Sequence, residues 1–112
     1  MNLNKQKKIV NRYFNCFNNK DILNLSKLFS QNIRLRDWEI DVKGKNAVIN
    51  ANEKIFNQFP NIKVKIIKLY HIENYIFSII KIKLNKIKTI EVLDQFQFNK
   101  KNLISNIRAF LG

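Results

Sequence analysis

Three polar side chains stand where the hydrophobic pattern of this chain calls for apolar ones: Tyr13, Asp37 and Asp94. Their types hint at proton transfer, in which a carboxylate acts as base and a hydroxyl or a protonated carboxyl as hydrogen-bond donor. A buried carboxylate without a partner tends to neutralise, because desolvation penalises its ionised form. A second acid nearby drives the two apart, so that one serves as base and the other as donor. Acids split in this way mark acid–base sites.

Periodicity places the three groups. In residues 88–99, read as a strand, Ile90, Val92, Asp94, Phe96 and Phe98 share one face, and Glu91, Leu93, Gln95 and Gln97 share the other. In residues 32–38, Ile33, Leu35 and Asp37 share a face opposite Arg34, Arg36 and Trp38. Tyr13 falls in the helical stripe Ile9, Val10, Phe14, Phe17. Each also has a plainer reading. An inward tyrosine is commonly a core residue with its hydroxyl satisfied. Asp37, near a strand end, is suited to capping a turn or pairing with an arginine. Asp94 lies mid-strand, where there is no turn to cap.

Other candidates carry less chemistry. His71 stands near a strand end and reads as a surface or satisfied histidine. Cys16 has no histidine at a local spacing and reads as a small buried hydrophobe. Arg108, in RAFLG, reads as a structural ion-pair partner. With one cysteine and one histidine, a structural zinc site would need carboxylate help, and an internal disulfide is excluded. Only two glycines, Gly44 and Gly112, are present, too few for a glycine-rich phosphate cradle. Neither a metal nor another cofactor is expected.

The 112 residues suit one domain, here 1–112, with 46% hydrophobic and 26% charged residues. The net charge of +13 comes from lysines spread over every segment, in a chain rich in Lys, Ile and Asn. That distribution fits a solvated basic surface. An electrostatic contact with nucleic acid or an anionic surface is the rival reading, and it predicts affinity that falls steeply with salt. Nucleic acid is not the expected partner. No apolar run approaches the roughly 18 residues of a bilayer span. The opening MNLNKQKK lacks the apolar core of a secretory leader. The expected location is the cytoplasm, with no membrane contact.

Elements that position the three groups can be read along the chain. Helices are expected over 4–18, over 22–29 with Asp21 as N-cap, and after Gly44 up to Pro60. The third helix has Val48, Ile49, Ala51, Ile55, Phe56 and Phe59 as its apolar positions. Strands are expected over 32–42, 61–72, 75–84, 88–99 and 102–111. Alternation holds for Ile62, Val64 and Ile66 and changes phase at Ile67, which predicts a bulge. Short polar turns join the last four strands into an antiparallel meander. Helices packed on one face of a bent antiparallel sheet leave a conical hollow lined by the covered face. Outside, Tyr75, Phe77 and Ile79 share one strand face, and Ile104 and Phe110 one face of the last strand; this apolar outer surface predicts a homodimer through the sheet.

With these elements in place, the chain resembles the nuclear transport factor 2-like superfamily, and within it the ketosteroid isomerase and SnoaL-like polyketide cyclase group. The resemblance runs from RYFNCFNNKDILNLSKLFS through LRDW, GKNAVINANEKIF and FP to VLDQFQFNKKNLISNIRAFLG. The last segment is the most specific: a strand with Asp94 two residues before an aromatic pair, a short turn, and a strand ending in RAFLG. It implies an α+β cone of a curved antiparallel sheet packed against three helices, NTF2-like or cystatin-like, with an internal pocket. It further implies that Tyr13 and Asp94 correspond to the oxyanion-binding pair of ketosteroid isomerase, and Asp37 to its proton-shuttling base. The expected pocket walls are Phe14, Phe17, Leu35, Trp38, Phe56, Val92 and Phe96, around a small apolar carbonyl-type ligand. The implied activity is an isomerase, or a lyase or cyclase of the SnoaL-like type. The alternative is a domain that binds a ligand or a protein partner without catalysis.

Overall fold

A computed structural model describes residues 3–112; the first two residues of the stretch read for a leader lie outside it. The chain runs α1 (Leu3–Asn18), α2 (Ile22–Ser26), β1 (Phe29–Arg36), β2 (Asp41–Lys43), α3 (Lys45–Gln58), β3 (Lys63–Ile72), β4 (Tyr75–Lys83), β5 (Thr89–Phe98) and β6 (Ile104–Leu111). The strands form one sheet in the order β2-β1-β6-β5-β4-β3. The fold is α+β, with three helices against one face. No described helix is long and apolar enough to cross a membrane.

Helix boundaries follow local chemistry. Asp21 caps α2, its carboxylate accepting from the Asn24 backbone N–H at 3.2 Å. Gly44 precedes α3 with φ of 96°, a left-handed conformation that a side chain would strain. At the other end of α1, the Asn18 amide donates to the Val64 carbonyl at 2.9 Å and accepts from the Val64 N–H at 2.7 Å. This pair of bonds pins the helix to β3.

The last four strands form the expected meander, each antiparallel to the next. β1 runs parallel to β6, so the sheet is mixed rather than purely antiparallel. Parallel pairing needs a crossover between the strands. Here everything from β2 to β5 intervenes, which no local pattern encodes. The expected strand 32–42 is in fact a hairpin. β1 ends at Arg36, β2 starts at Asp41, and the turn between them closes with the Asp37 N–H donating to the Ile40 carbonyl at 2.9 Å.

Register breaks bend the sheet into a cone. Ile66 pairs with Ile80 and Lys68 with Ile79, leaving Ile67 as the extra residue, as the phase change requires. Ile67 is pushed outward, and Leu69 takes up the inner face in its place. A second break in β5–β6 pairs Gln97 with Asn106 but Phe98 with Ile104. It reverses the phase of β6. Ile104 is therefore buried inside while Phe110 lies outside, and the two do not share a face as the uninterrupted alternation predicts. Extra residues in one strand increase local twist and bend, which wraps the inner face around the helices.

Inside, the core joins the three helices to the sheet through Val10, Phe14, Leu25, Phe29, Ile33, Val48, Ile76, Ile80, Phe96 and Ile107. On the outside, Tyr75 and Phe77 contact each other at 6.0 Å between ring centroids. Arg108 lies 4.8 Å over the Phe110 ring and forms no ion pair to a described residue, contrary to the expected structural salt bridge. The arginine that does pair is Arg34, whose Nε and Nη2 donate to the two Asp41 oxygens at 2.8 and 2.6 Å.

Candidate functional site

Between the helices and the inner face of the sheet lies a cavity of about 410 Å³. Its walls grade from dry to wet. The floor is buried: Tyr13, Phe14 and Phe17 from α1, Asn52 from α3, and Ile80, Val92, Asp94 and Ile107 from the sheet. Ile55, Phe59, Ile82 and Ile90 form a half-buried middle. The rim is exposed and polar, with Glu39, Gln58 and Lys88 around Trp38.

Tyr13, Asp37 and Asp94 all line this cavity. So do Phe14, Phe17, Leu35, Trp38 and Val92. Phe56 and Phe96 do not. Phe96 stacks edge-on behind Tyr13 and Phe14, at 5.4 and 5.7 Å, and Phe56 packs against Phe17 at 4.9 Å. Both sit one layer back and hold the lining aromatics in place. Trp38 faces the mouth because the turn after Arg36 ends the strand alternation that assigned it to the outer face.

Asp94 is held mid-strand on β5 between Val92 and Phe96, with Ser78 directly across on β4. Its carboxyl forms no hydrogen bond to a described residue. Burial pushes its pKa up to about 7, and the negative charge of Asp37 adds to the rise. The Tyr13 hydroxyl likewise has no described hydrogen-bond partner. Burial raises its pKa far above the ordinary tyrosine value, with the Asp94 charge as the second cause. Below about pH 7 both groups therefore hold a proton that no described residue accepts.

Asp37 sits differently. Its Oδ1 accepts the backbone N–H groups of Glu39 and Ile40 at 2.7 and 2.8 Å, closing the β1–β2 turn. The other oxygen, Oδ2, has no described partner. The capping role and the cavity role thus fall on different atoms of one carboxylate. Two other turns are built the same way. Asn85 Oδ1 accepts from Ile87 and Lys88, and Asn99 Oδ1 accepts from Lys101 and Leu103. An asparagine suffices for such a turn. Of the three capping side chains, only Asp37 is an acid, and only Asp37 itself lines the cavity.

The remaining candidates lie elsewhere. His71 Nε2 is 3.4 Å from Gln6 Oε1, away from the cavity. Cys16 is buried, and desolvation raises its thiol pKa, which disfavours the reactive thiolate. Among the described residues no group of three His, Cys, Asp or Glu side chains stands close enough to hold a metal ion.

Asn52 is the site residue that the sequence reading passed over. It is almost wholly buried, it lines the cavity, and its Nδ2 has no hydrogen-bond partner. The signal was present. Asn52 lies four residues after Val48 and four before Phe56, within the apolar stripe of α3. Asparagine does not titrate, so a search guided by ionisable groups misses it.

No protein-family model matches the sequence, and no curated protein does. Solved structures match throughout. A SnoaL-like protein of unknown function from Burkholderia thailandensis superposes with a TM-score of 0.89 at 11% identity, covering 100% of this chain and 98% of that one. An NTF2-like protein of unknown function from Cytophaga hutchinsonii gives 0.83 at 18% identity, with 96% and 89% covered. A ketosteroid isomerase candidate from Kribbella flavida gives 0.85 at 12% identity, with 97% and 78% covered. These superpositions span almost the whole chain, which therefore has the nuclear transport factor 2-like cone fold of SnoaL-like and ketosteroid isomerase-like proteins.

Proposed function

We propose that the cavity binds a small, mainly apolar ketone and moves a proton between carbons beside its carbonyl. One observation carries this reading: on a mainly apolar floor, two buried groups without protein partners, a hydroxyl and a carboxyl pushed toward its neutral form, line the same cavity as a turn carboxylate with a free oxygen. The volume falls within the range of small-molecule pockets, about 300–1,000 Å³.

The chemistry balances without a cofactor. Asp37 Oδ2 takes a proton from the carbon between a carbonyl and an isolated double bond. The C–H electron pair shifts into the adjoining C–C bond, and negative charge moves to the carbonyl oxygen. Tyr13 and Asp94 donate hydrogen bonds to that oxygen as it gains charge, in a dry site where such donors act strongly. Asp37 then returns the proton to the far end of the diene, leaving a conjugated ketone. Atoms and electrons are conserved. Fold likeness alone does not establish this activity; its support comes from the groups in the cavity and their protonation.

The test is conversion of β,γ-unsaturated to conjugated ketones, followed by the rise in ultraviolet absorbance, on a panel of mono- and bicyclic substrates. Asp37→Asn keeps the turn acceptor and loses the base, so the rate should fall by about 10²–10⁴-fold. Asp94→Ala should cost about 10²–10³-fold through the lost donor. A parent protein that turns over nothing on the panel removes the isomerase reading. Equal rates for parent and variants remove the assigned roles.

A further inference from the structure

The cavity presents one more buried donor than the proposed chemistry uses. Asn52 is 2% exposed, and its amide nitrogen has no protein acceptor. A buried donor without an acceptor destabilises the fold that contains it. Tyr13 and Asp94 line the same cavity, and Asn52 bonds to neither. The amide therefore does not orient the oxyanion pair. It enters from α3, where Ile55 and Phe59 also line the cavity, whereas Asp94 stands on the sheet.

We propose that Asn52 is a specificity-determining residue, whose side-chain amide donates a hydrogen bond to a second oxygen of the bound molecule. The ligand class is thereby narrowed to compact apolar ketones that carry another acceptor on the ring system, such as a second carbonyl or a hydroxyl. This rests on the reading of the cavity as a ketone site. A site with a buried donor penalises analogues that lack the matching acceptor, because the donor is then left unpaired in the complex. Ile55 and Phe59, on the same helix, give the cavity hydrocarbon, and no group of the protein accepts from the Asn52 amide.

Binding of saturated ketones, which cannot turn over, separates this proposal from the catalytic one. The probes are decalone and a set of decalindione isomers that differ in the position of the second carbonyl, titrated calorimetrically into the parent protein, Asn52→Leu and Asn52→Ala. In the parent, at least one dione should bind about tenfold more tightly than decalone. In both variants that preference should vanish, while decalone affinity stays within about twofold. The melting temperature of Asn52→Leu should equal or exceed that of the parent, since the substitution removes an unpaired buried donor. Asn52→Ala supplies the same binding readout if leucine does not fit.

Three results would overturn the proposal while leaving the ketone site standing: decalone binds but no dione is preferred, the preference survives in both variants, or decalone and dione weaken equally. If neither decalone nor any dione binds the parent, the ketone reading fails and takes this proposal with it.

Discussion

The floor and the rim of the cavity each hold an acid, and the two acids are treated in opposite ways. Asp94, on the floor, sits mid-strand among Val92, Phe96 and Ile107, without a described hydrogen bond, and is pushed toward its neutral form. Asp37, at the rim, has two backbone N–H groups on one oxygen and stands beside exposed Trp38 and Glu39. Both are aspartates, so the difference in their surroundings comes from position alone. A mid-strand site has its backbone donors committed to the sheet ladder, leaving none for a carboxylate. A turn has unused N–H groups, and those stabilise negative charge. A turn and a strand centre on one cavity thus give the same side chain two different surroundings.

The largest test of that contrast is the pH dependence of stability. The folded-state pKa of Asp94, about 7, lies above its ordinary value of 3.8. Between those values the folded protein holds a proton that the unfolded chain has released. Stability from this group therefore falls as pH rises through that window, and above about 7 the loss is complete. The amount is on the order of a few kcal/mol. Asp94→Asn removes the titration. Urea denaturation should find the variant gaining on the parent steadily from about pH 4 to about pH 7, with no further gain beyond. A difference between the two that does not change with pH would mean that the floor solvates its acid as well as the rim does.

A smaller effect is expected at the rim. Asp37→Ala deletes the acceptor for two N–H groups and should cost about 1–2 kcal/mol, as the loss of a helix N-cap does. Asp37→Asn keeps the acceptor, as Asn85 and Asn99 do in the other turns, and should leave stability within about 0.5 kcal/mol. Thermal or urea melts of the two variants read this directly. If Asn is as damaging as Ala, the negative charge itself holds the turn, and its placement at the cavity needs no chemical reason.

These two acids also show what was legible in the sequence. Asp94 was, because β5 is long and regular enough for a polar residue to stand out from the stripe Ile90, Val92, Phe96. The bulge at Ile67 was legible for the same reason, as a break in a clean alternation. Asp37 was legible only in part. Its inward direction was inferred from a strand running through 42, whereas its own side chain ends that strand. No glycine or proline marks the turn, because in this glycine-poor chain Asp and Asn acceptors close the turns instead. The register break in β6 escaped because Ile104 and Phe110 keep an even spacing, and only pairing with β5 reveals the slip. Phe56 and Phe96 were placed on the correct faces, but periodicity gives direction and not depth, and both stop behind the lining layer.

The smallest predicted effect lies at Ser78, directly across the ladder from Asp94 and fully buried, with an Oγ that has no hydrogen-bond partner. If the floor holds its polar groups without partners, removing this hydroxyl should not weaken the fold. Ser78→Ala is expected to leave stability unchanged or raise it by up to about 1 kcal/mol at about pH 5. There Asp94 is protonated and makes no strong demand for a donor. Above about pH 7 the acid is charged. Opposed side chains on one face of an antiparallel pair stand about 5 Å apart at Cβ, so the serine hydroxyl is within reach of that charge. The gain should therefore shrink or reverse at about pH 8. Urea melts of Ser78→Ala and parent at the two pH values measure the change. A loss of stability already at about pH 5 would show the hydroxyl satisfied within the fold, and the contrast between a floor stripped of partners and a rim supplied with them would then fail at the residue directly across from Asp94.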